Sequence, residues 1–120
     1  MDKLLNWFHG ARWRMSLSHC LEALPIQALA GAATWGLGFT VPIAAGVGAI
    51  VVAAYYYGRE KDQYEQRVKI PGESNTTVWA AGIWPGDWGK DSVMDFIFPV
   101  VSSSGFALLL FCIDKVVHTK

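Results

Sequence analysis

The sequence contains an uninterrupted run of 36 residues, positions 23–58, without a single charged side chain. One membrane-spanning helix needs about 20 apolar residues, so this run is too long for a single span. It includes Pro25, Pro42 and a glycine-rich segment at residues 35–40, where a tight turn is favoured over unbroken helix. The run therefore predicts most of a helical hairpin.

A second apolar run, residues 96–113, is interrupted only by Pro99 and a serine triplet, and it is just long enough to span a membrane. Together the two runs predict an all-α integral membrane protein that forms one small domain. A charged extension of the second helix and a cytoplasmic loop should separate the two runs. The expected elements are transmembrane helices at residues 16–35, 41–57 and 95–116, the extension to about residue 67, and the loop at residues 68–94.

The segment before the first predicted span, residues 1–15, has its own amphipathic pattern. Leu4, Trp7 and Phe8 share one helical face, which favours a short helix lying in the headgroup layer. A simple helical lead-in to the first span is the alternative. A cleaved signal peptide is a competing interpretation of the first span itself, but Glu22 and Pro25 interrupt the apolar core that such a peptide needs.

The distribution of charge predicts the orientation of the chain. With three spans, the N-terminal segment and residues 58–92 share one side and carry eight of the ten Lys and Arg residues, against Lys115 and Lys120 on the other side. Because short basic loops stay cytoplasmic, this asymmetry predicts a multi-pass protein with a cytoplasmic N-terminus. Lys and Arg balance Asp and Glu at 10 each, which removes the bulk electrostatic argument for nucleic acid as a partner.

Aromatic residues lie where the chain should meet the membrane surface, as Trp and Tyr commonly do. Trp35 lies where the first span should end, and three consecutive tyrosines lie where the second span should leave the hydrocarbon. Three tryptophans in the cytoplasmic loop predict a loop that rests on the membrane surface. These expected interface anchors are Trp35, Tyr55, Tyr56, Tyr57, Trp79, Trp84 and Trp88.

Ionisable residues are spaced so that a compact bundle would bring them to one layer at its cytoplasmic end. His19 and Glu22 share a face of the first span, while the other members close the second span or open the third. They are Arg59, Glu60, Asp91 and Asp95. Because charges near a membrane are costly unless paired, the favoured interpretation is a structural ion-pair network in which Arg59 pairs with Glu22, Glu60, Asp91 and Asp95.

Two other interpretations of this layer remain open. His19 with the four carboxylates could ligate a divalent metal or provide an acid/base pair acting on a lipid-linked substrate. Alternatively, the layer could receive a lipid or a protein partner. The chain contains no phosphate-binding loop, nucleophile elbow, zinc-finger spacing or dinucleotide fingerprint, and no cofactor is predicted.

Small residues line the predicted spans. A spacing of four places Ala45, Ala49 and Ala53 on one face of the second span, which allows another helix to approach closely. Ser102 and Ser103, in the middle of the third span, could donate hydroxyls across a helix interface or bond back to their own helix. The pattern fits either packing within the chain or a homo-oligomer.

Three short motifs carry a resemblance to known proteins: SHCLEA at residues 18–23, YGRE at residues 57–60 and DSVMDFIFP at residues 91–99. With them, the chain resembles small membrane proteins of tailed bacteriophages, of the holin type. The resemblance implies a protein that oligomerises in the bacterial inner membrane and permeabilises it during host-cell lysis. The chain differs from the best-known three-span holins in its predicted cytoplasmic N-terminus and in lacking a long basic tail.

Two further functional hypotheses come from other classes of protein. One is a non-enzymatic membrane adaptor, such as a virion or ejection-associated component, that binds a cytoplasmic protein through the charged helix extension and the tryptophan loop. The other is a membrane-embedded, metal-dependent enzyme that uses the ionisable layer. In every case the lipid bilayer is the first expected partner.

Overall fold

A computed structural model describes residue 3, residues 12–68 and residues 82–119 of the chain. Within these ranges the fold is all-helical, as the sequence predicted, with three long helices and no strand. They are α1 (Arg12–Gly36), α2 (Val41–Val68) and α3 (Lys90–His118), with a short 3-10 turn at Pro85–Asp87. The predicted interfacial helix at residues 1–15 and the predicted anchor Trp79 lie almost wholly outside the described residues.

The hairpin between α1 and α2 forms where the glycine-rich segment predicted it. Gly38 has a φ of 91°, a left-handed conformation that glycine adopts without steric cost. Its backbone N–H donates to the carbonyl of Trp35 at 2.9 Å, which closes the turn at the end of α1. Pro25 and Pro99 lie inside α1 and α3 without ending either helix.

Two of the described helices, α2 and α3, are long and apolar enough to cross a membrane. The sequence predicted three such helices, and α1 is the one that does not qualify. It is helical over the whole predicted span, residues 16–35, but His19, Glu22 and Gln27 lower its hydropathy. By length and apolar composition, two of the three predicted membrane spans are therefore supported, and α1 is not.

Each of the three helices packs against the other two. Within the described ranges the apolar core is small: Ala23, Val52 and Tyr56 form a buried cluster against which Ile26 and Phe96 pack. The other buried apolar side chains are Ala44, Ala45 and Trp88. Several other buried side chains are polar, and they lie along the interior of the bundle: Ser16, His19, Gln27, Glu60, Ser92 and Ser103.

The large apolar side chains of α2 and α3 point outward. Only 28% of the apolar stretch of α2 and 11% of that of α3 is buried inside the bundle. Ile50, Val101 and Leu108 are 70%, 63% and 63% exposed. This bundle buries polar side chains and exposes apolar ones, which is the reverse of the usual arrangement in a water-soluble bundle.

Small residues allow α1 and α2 to approach closely. A Cβ at Gly48 would lie 2.7 Å from the backbone oxygen of Gln27, and one at Gly31 would lie 3.4 Å from the backbone oxygen of Ala44. The predicted small-residue face is partly used in this packing. Ala45 is buried, whereas Ala49 and Ala53 are half-buried.

The start of α3 and the turn before it differ from the expected boundaries. The helix begins at Lys90 with Gly89 as its N-cap, five residues before the expected start. The added residues include Lys90 and Asp91, which the apolar run does not contain, and buried Ser92. In the preceding turn, buried Trp88 donates from Nε1 to the carbonyl of Gly82 at 2.8 Å. Trp84 is 75% exposed.

Candidate functional site

Ionisable and aromatic side chains from all three helices meet at the end of the bundle opposite the hairpin turn. We call this the charged end and define it by His19 and Glu22 of α1, Tyr56 and Arg59 of α2, and Asp95 of α3. The antiparallel hairpin sets the register. It places Tyr56 beside His19, and the Tyr56 hydroxyl donates to the backbone oxygen of His19 at 2.9 Å.

His19 is the residue that contacts all three helices. It is only 4% exposed. Its Nδ1 atom lies 3.2 Å from Nη1 of Arg59 and 3.4 Å from Oε2 of Glu22. Its Nε2 atom lies 3.7 Å from Oδ2 of Asp95. One buried imidazole thus contacts a guanidinium and two carboxylates.

Tyr56 supports this imidazole. Its ring is fully buried and meets the His19 ring edge-on, with centroids 5.8 Å apart. The guanidinium carbon of Arg59 lies 5.8 Å from the Tyr56 centroid, at the reach of a cation–π contact. The sequence pattern assigned Tyr56 to the membrane interface, but it packs in the interior, and Tyr55 is the exposed member of the tyrosine triplet.

The predicted convergence forms in part, with a different centre. His19, Glu22, Arg59 and Asp95 do meet. Among the described residues, however, no ion pair joins Arg59 to a carboxylate, and its guanidinium lies against His19 instead. Asp91 lies exposed in the first turn of α3.

Glu60 belongs to the same layer but is not part of these contacts. It is 1% exposed, and neither of its carboxylate oxygens has a hydrogen-bond partner among the described residues. Burying a carboxyl group without a hydrogen bond is costly. Glu60 is therefore the least satisfied polar side chain of the described interior.

The geometry around His19 does not suit a metal ion. Within residues 12–68 and 82–119, no three His, Cys, Asp or Glu side chains are grouped so that they could hold one. The Nδ1 atom of His19 faces the guanidinium of Arg59, whose positive charge would oppose a cation there. The candidate ligands His19, Glu22, Glu60, Asp91 and Asp95 therefore receive no metal assignment.

Gln27 joins the three helices in the middle of the bundle, and the sequence analysis missed it. It is 3% exposed, and its Nε2 donates to the backbone oxygen of Ser103 at 2.9 Å and to that of Ala45 at 3.4 Å. The Ser103 hydroxyl bonds back to Val100 within α3, one of the two predicted roles, while Ser102 is half-buried. The sequence feature that could have indicated this role is the single amide side chain of Gln27 inside the charge-free apolar run.

At the other end, near the hairpin turn, the three helices do not close on one another. We call this the turn end. They leave a cleft of about 380 Å³ with Trp35 at its lining, and Gln27 is the one polar side chain among its lining residues. The apolar walls include Leu24, Ala28, Val41, Phe106 and Leu110.

Comparison with models of protein families, with curated proteins and with solved structures finds no match for this chain.

Proposed function

We propose that this chain is a small multi-pass membrane protein of the holin type, which permeabilises the bacterial inner membrane by self-association. The observation that carries the membrane part is the outward direction of the apolar side chains, with only 11% of the apolar stretch of α3 buried. Exposed apolar surface of this extent would drive aggregation in water, whereas hydrocarbon solvates it at no cost.

The same reasoning supports α1 as a third span in spite of its polar residues. His19 and Gln27 are turned into the bundle, whereas Leu21 and Leu29 on the outer face are 52% and 74% exposed. Polar residues within a membrane commonly face the bundle interior in this way. Because α1 and α2 are joined by a four-residue turn and packed along their length, α1 would enter the bilayer together with α2.

The orientation proposed for this bundle places the charged end in the cytoplasm. It follows from the eight Lys and Arg residues on that side against two on the other. A reporter fused after Lys120 should then behave as extracytoplasmic, and one inserted near Glu73 as cytoplasmic. The opposite pair of results would reverse the proposed orientation of the chain in the membrane.

The step from membrane insertion to permeabilisation is supported by how little interior a single copy has. Among the described residues the buried apolar side chains are few, and Ala49 and Ala53 are only half-covered. The buried ones are Ala23, Ala44, Ala45, Val52, Tyr56 and Trp88. Small-residue faces of this kind allow close contact between helices of different copies. The resemblance of three short motifs to holin-type proteins points the same way.

A membrane adaptor is the second candidate function, and the charged end favours it. The α2 extension, residues 58–68, carries polar and charged side chains, and Arg67 donates to the Ser92 hydroxyl at 2.9 Å. Tyr57 donates to the backbone oxygen of Ile83 in the turn before α3. Extension and turn thus form one connected surface, charged on the extension and aromatic at exposed Trp84, that a cytoplasmic protein could bind.

The test is to express the full chain in bacteria, fractionate the cells and follow membrane potential with a voltage-sensitive dye. Holin-type function predicts that the chain enters the membrane fraction and that the potential collapses. Leu108→Arg places a charge on the outward face at a cost of about 3 kcal/mol and should block both effects. Gln63→Arg adds the same side chain on the exposed extension and should leave both unchanged.

The possible outcomes separate the candidates. A chain found in the soluble fraction would remove the membrane proposal altogether. A chain in the membrane fraction that leaves the potential intact would remove permeabilisation and favour the adaptor.

A further inference from the structure

The Nδ1 atom of His19 faces two groups that it cannot bond at the same time. Nη1 of Arg59, at 3.2 Å, can only donate, so it needs an unprotonated Nδ1. Oε2 of Glu22, at 3.4 Å, can only accept when ionised, so it needs a protonated Nδ1. Which bond forms depends on whether Nδ1 carries a proton: with the single proton of the neutral ring on Nε2, Nδ1 accepts from Arg59, and in the doubly protonated ring Nδ1 can only donate.

The two arrangements link different helices. In the neutral ring, Nδ1 accepts from Arg59 and ties α1 to α2, while Nε2 carries the proton and faces Asp95 of α3. In the doubly protonated ring, Nδ1 donates to Glu22 on its own helix. Arg59 then loses its acceptor and faces a like charge at contact distance.

We propose that protonation of His19 switches its hydrogen-bond partner. Gain of the second proton replaces the bond from Arg59 by a bond to Glu22 and loosens the charged end of α2 from α1. In the described part of the chain, the ionisable groups that face the ring are Glu22 of α1, Tyr56 and Arg59 of α2, and Asp95 of α3. Arg59 is the one group that must move when the ring is charged.

Neighbouring contacts allow this movement. The Tyr56 hydroxyl donates to the backbone oxygen of His19, a bond that does not depend on the charge of the ring, so α1 and α2 stay joined one turn deeper. Arg59 is half-buried and begins the polar extension, where water can receive its guanidinium. Loosening is thereby confined to the charged end.

The experiment measures the distance between the charged ends of α1 and α2 in the full chain, purified in detergent micelles. Spin labels are attached at Leu17→Cys and Gln63→Cys, both exposed positions, with Cys20→Ser and Cys112→Ser removing the native thiols. Pulsed dipolar spectroscopy follows the distance from about pH 8 to about pH 5, the interval in which imidazole commonly gains its proton. A population at longer distance should grow as the pH falls.

Three variants assign the effect. His19→Gln keeps an acceptor for Arg59 at every pH and should abolish the longer population. Arg59→Gln removes the charge that is repelled and should abolish it as well, while ¹⁵N shifts still report protonation of His19. His118→Gln removes an exposed histidine at the far end of α3 and should leave the response intact.

An unchanged distance in the parent chain while the His19 shifts report protonation would overturn the proposal. So would a pH response that survives Arg59→Gln. Circular dichroism identifies a variant that has lost its helices, and the parent chain with Arg59→Gln decides the matter should His19→Gln fail to fold. The proposal concerns contacts within one chain and stands whether or not the potential collapses in cells.

Discussion

The two ends of the bundle are held together by different means. At the charged end the interior is occupied by side chains that bond across helices, with His19 and Tyr56 at the centre. Toward the turn end the contact between α1 and α2 is made by backbone against small residues at Gly31 and Gly48, and a cleft of about 380 Å³ remains. Side chains bond across helices at the charged end, whereas at Gly31 and Gly48 the close approach of α1 and α2 requires that no side chain be present.

This difference predicts how each end responds to substitution. A hydrogen bond made by a side chain across helices tolerates small movements of both groups. Removing one such bond should therefore lower the free energy of unfolding by about 1 kcal/mol, the worth of one hydrogen bond. A backbone atom packed against a glycine cannot move without its helix. The largest effects are therefore expected where a Cβ would meet backbone.

Gly48→Ala should be the most damaging single substitution of those considered. The new Cβ would lie 2.7 Å from the backbone oxygen of Gln27 and 2.8 Å from its Cγ, so α1 and α2 must separate. This separation would also strain the hydrogen bonds that Gln27 donates to the backbone oxygens of Ala45 and Ser103. We expect a loss of about 3 kcal/mol in the free energy of unfolding, measured by denaturant titration in mixed micelles.

Gly46→Ala is the matched control, since it lies in the same helix with nothing within 4 Å of the new Cβ. Alanine is the better helix former by about 1 kcal/mol, so this variant should be neutral or slightly stabilised. Equal losses in the two variants would mean that the close approach of α1 and α2 does not hold this end together.

The hairpin illustrates what the sequence could predict. A charge-free run too long for one span, with prolines and glycines near its middle, leaves few alternatives to two helices joined by a turn. The end of α2 at Val68 also lies within one residue of the expected end of the extension. The close contact at Gly48 was not predictable, because it depends on which face of α2 meets α1.

Gly82→Ala tests the charged end in the same way and should cost less. Gly82 has a φ of 70°, and its new Cβ would lie 2.5 Å from Cδ1 of Tyr64. Turning the Tyr64 ring relieves the contact with Cδ1, whereas Cβ of Tyr64, at 3.2 Å, must shift slightly with its helix. The left-handed backbone adds about 1 to 2 kcal/mol. Trp88, one of the six tryptophans of the chain, donates to the Gly82 carbonyl, so its share of the tryptophan emission should change in this variant.

Gly86→Ala, in the same turn with nothing within 4 Å, is its control and should leave stability and emission unchanged. A loss for Gly82→Ala as large as that for Gly48→Ala would remove the proposed distinction between side-chain and backbone contacts.

The ionisable layer shows the limit of prediction at the charged end. Spacing along each helix was enough to predict that His19, Glu22, Arg59 and Asp95 meet. It could not predict that His19 rather than Arg59 is the centre, because that depends on the rotation of each helix about its axis. The tyrosine triplet makes the same point, since Tyr55 and Tyr56 are adjacent and only helical phase turns one outward and the other inward.

That pair of tyrosines gives the smallest of the predicted effects and the most direct test of the charged end. Tyr56→Phe removes the hydroxyl that donates to the backbone oxygen of His19 at 2.9 Å while keeping the ring. Because the freed carbonyl lies within α1 and keeps its place in the helix, we expect a loss of about 1 kcal/mol in the free energy of unfolding. Tyr55→Phe changes the same group one residue earlier, where the ring is 52% exposed, and should be neutral within error. The comparison isolates one buried hydroxyl, since both variants keep the edge-on contact of the two rings. Equal effects of the two substitutions would mean that bonding by side chains does not stabilise the charged end, and packing alone would have to hold both ends of the bundle.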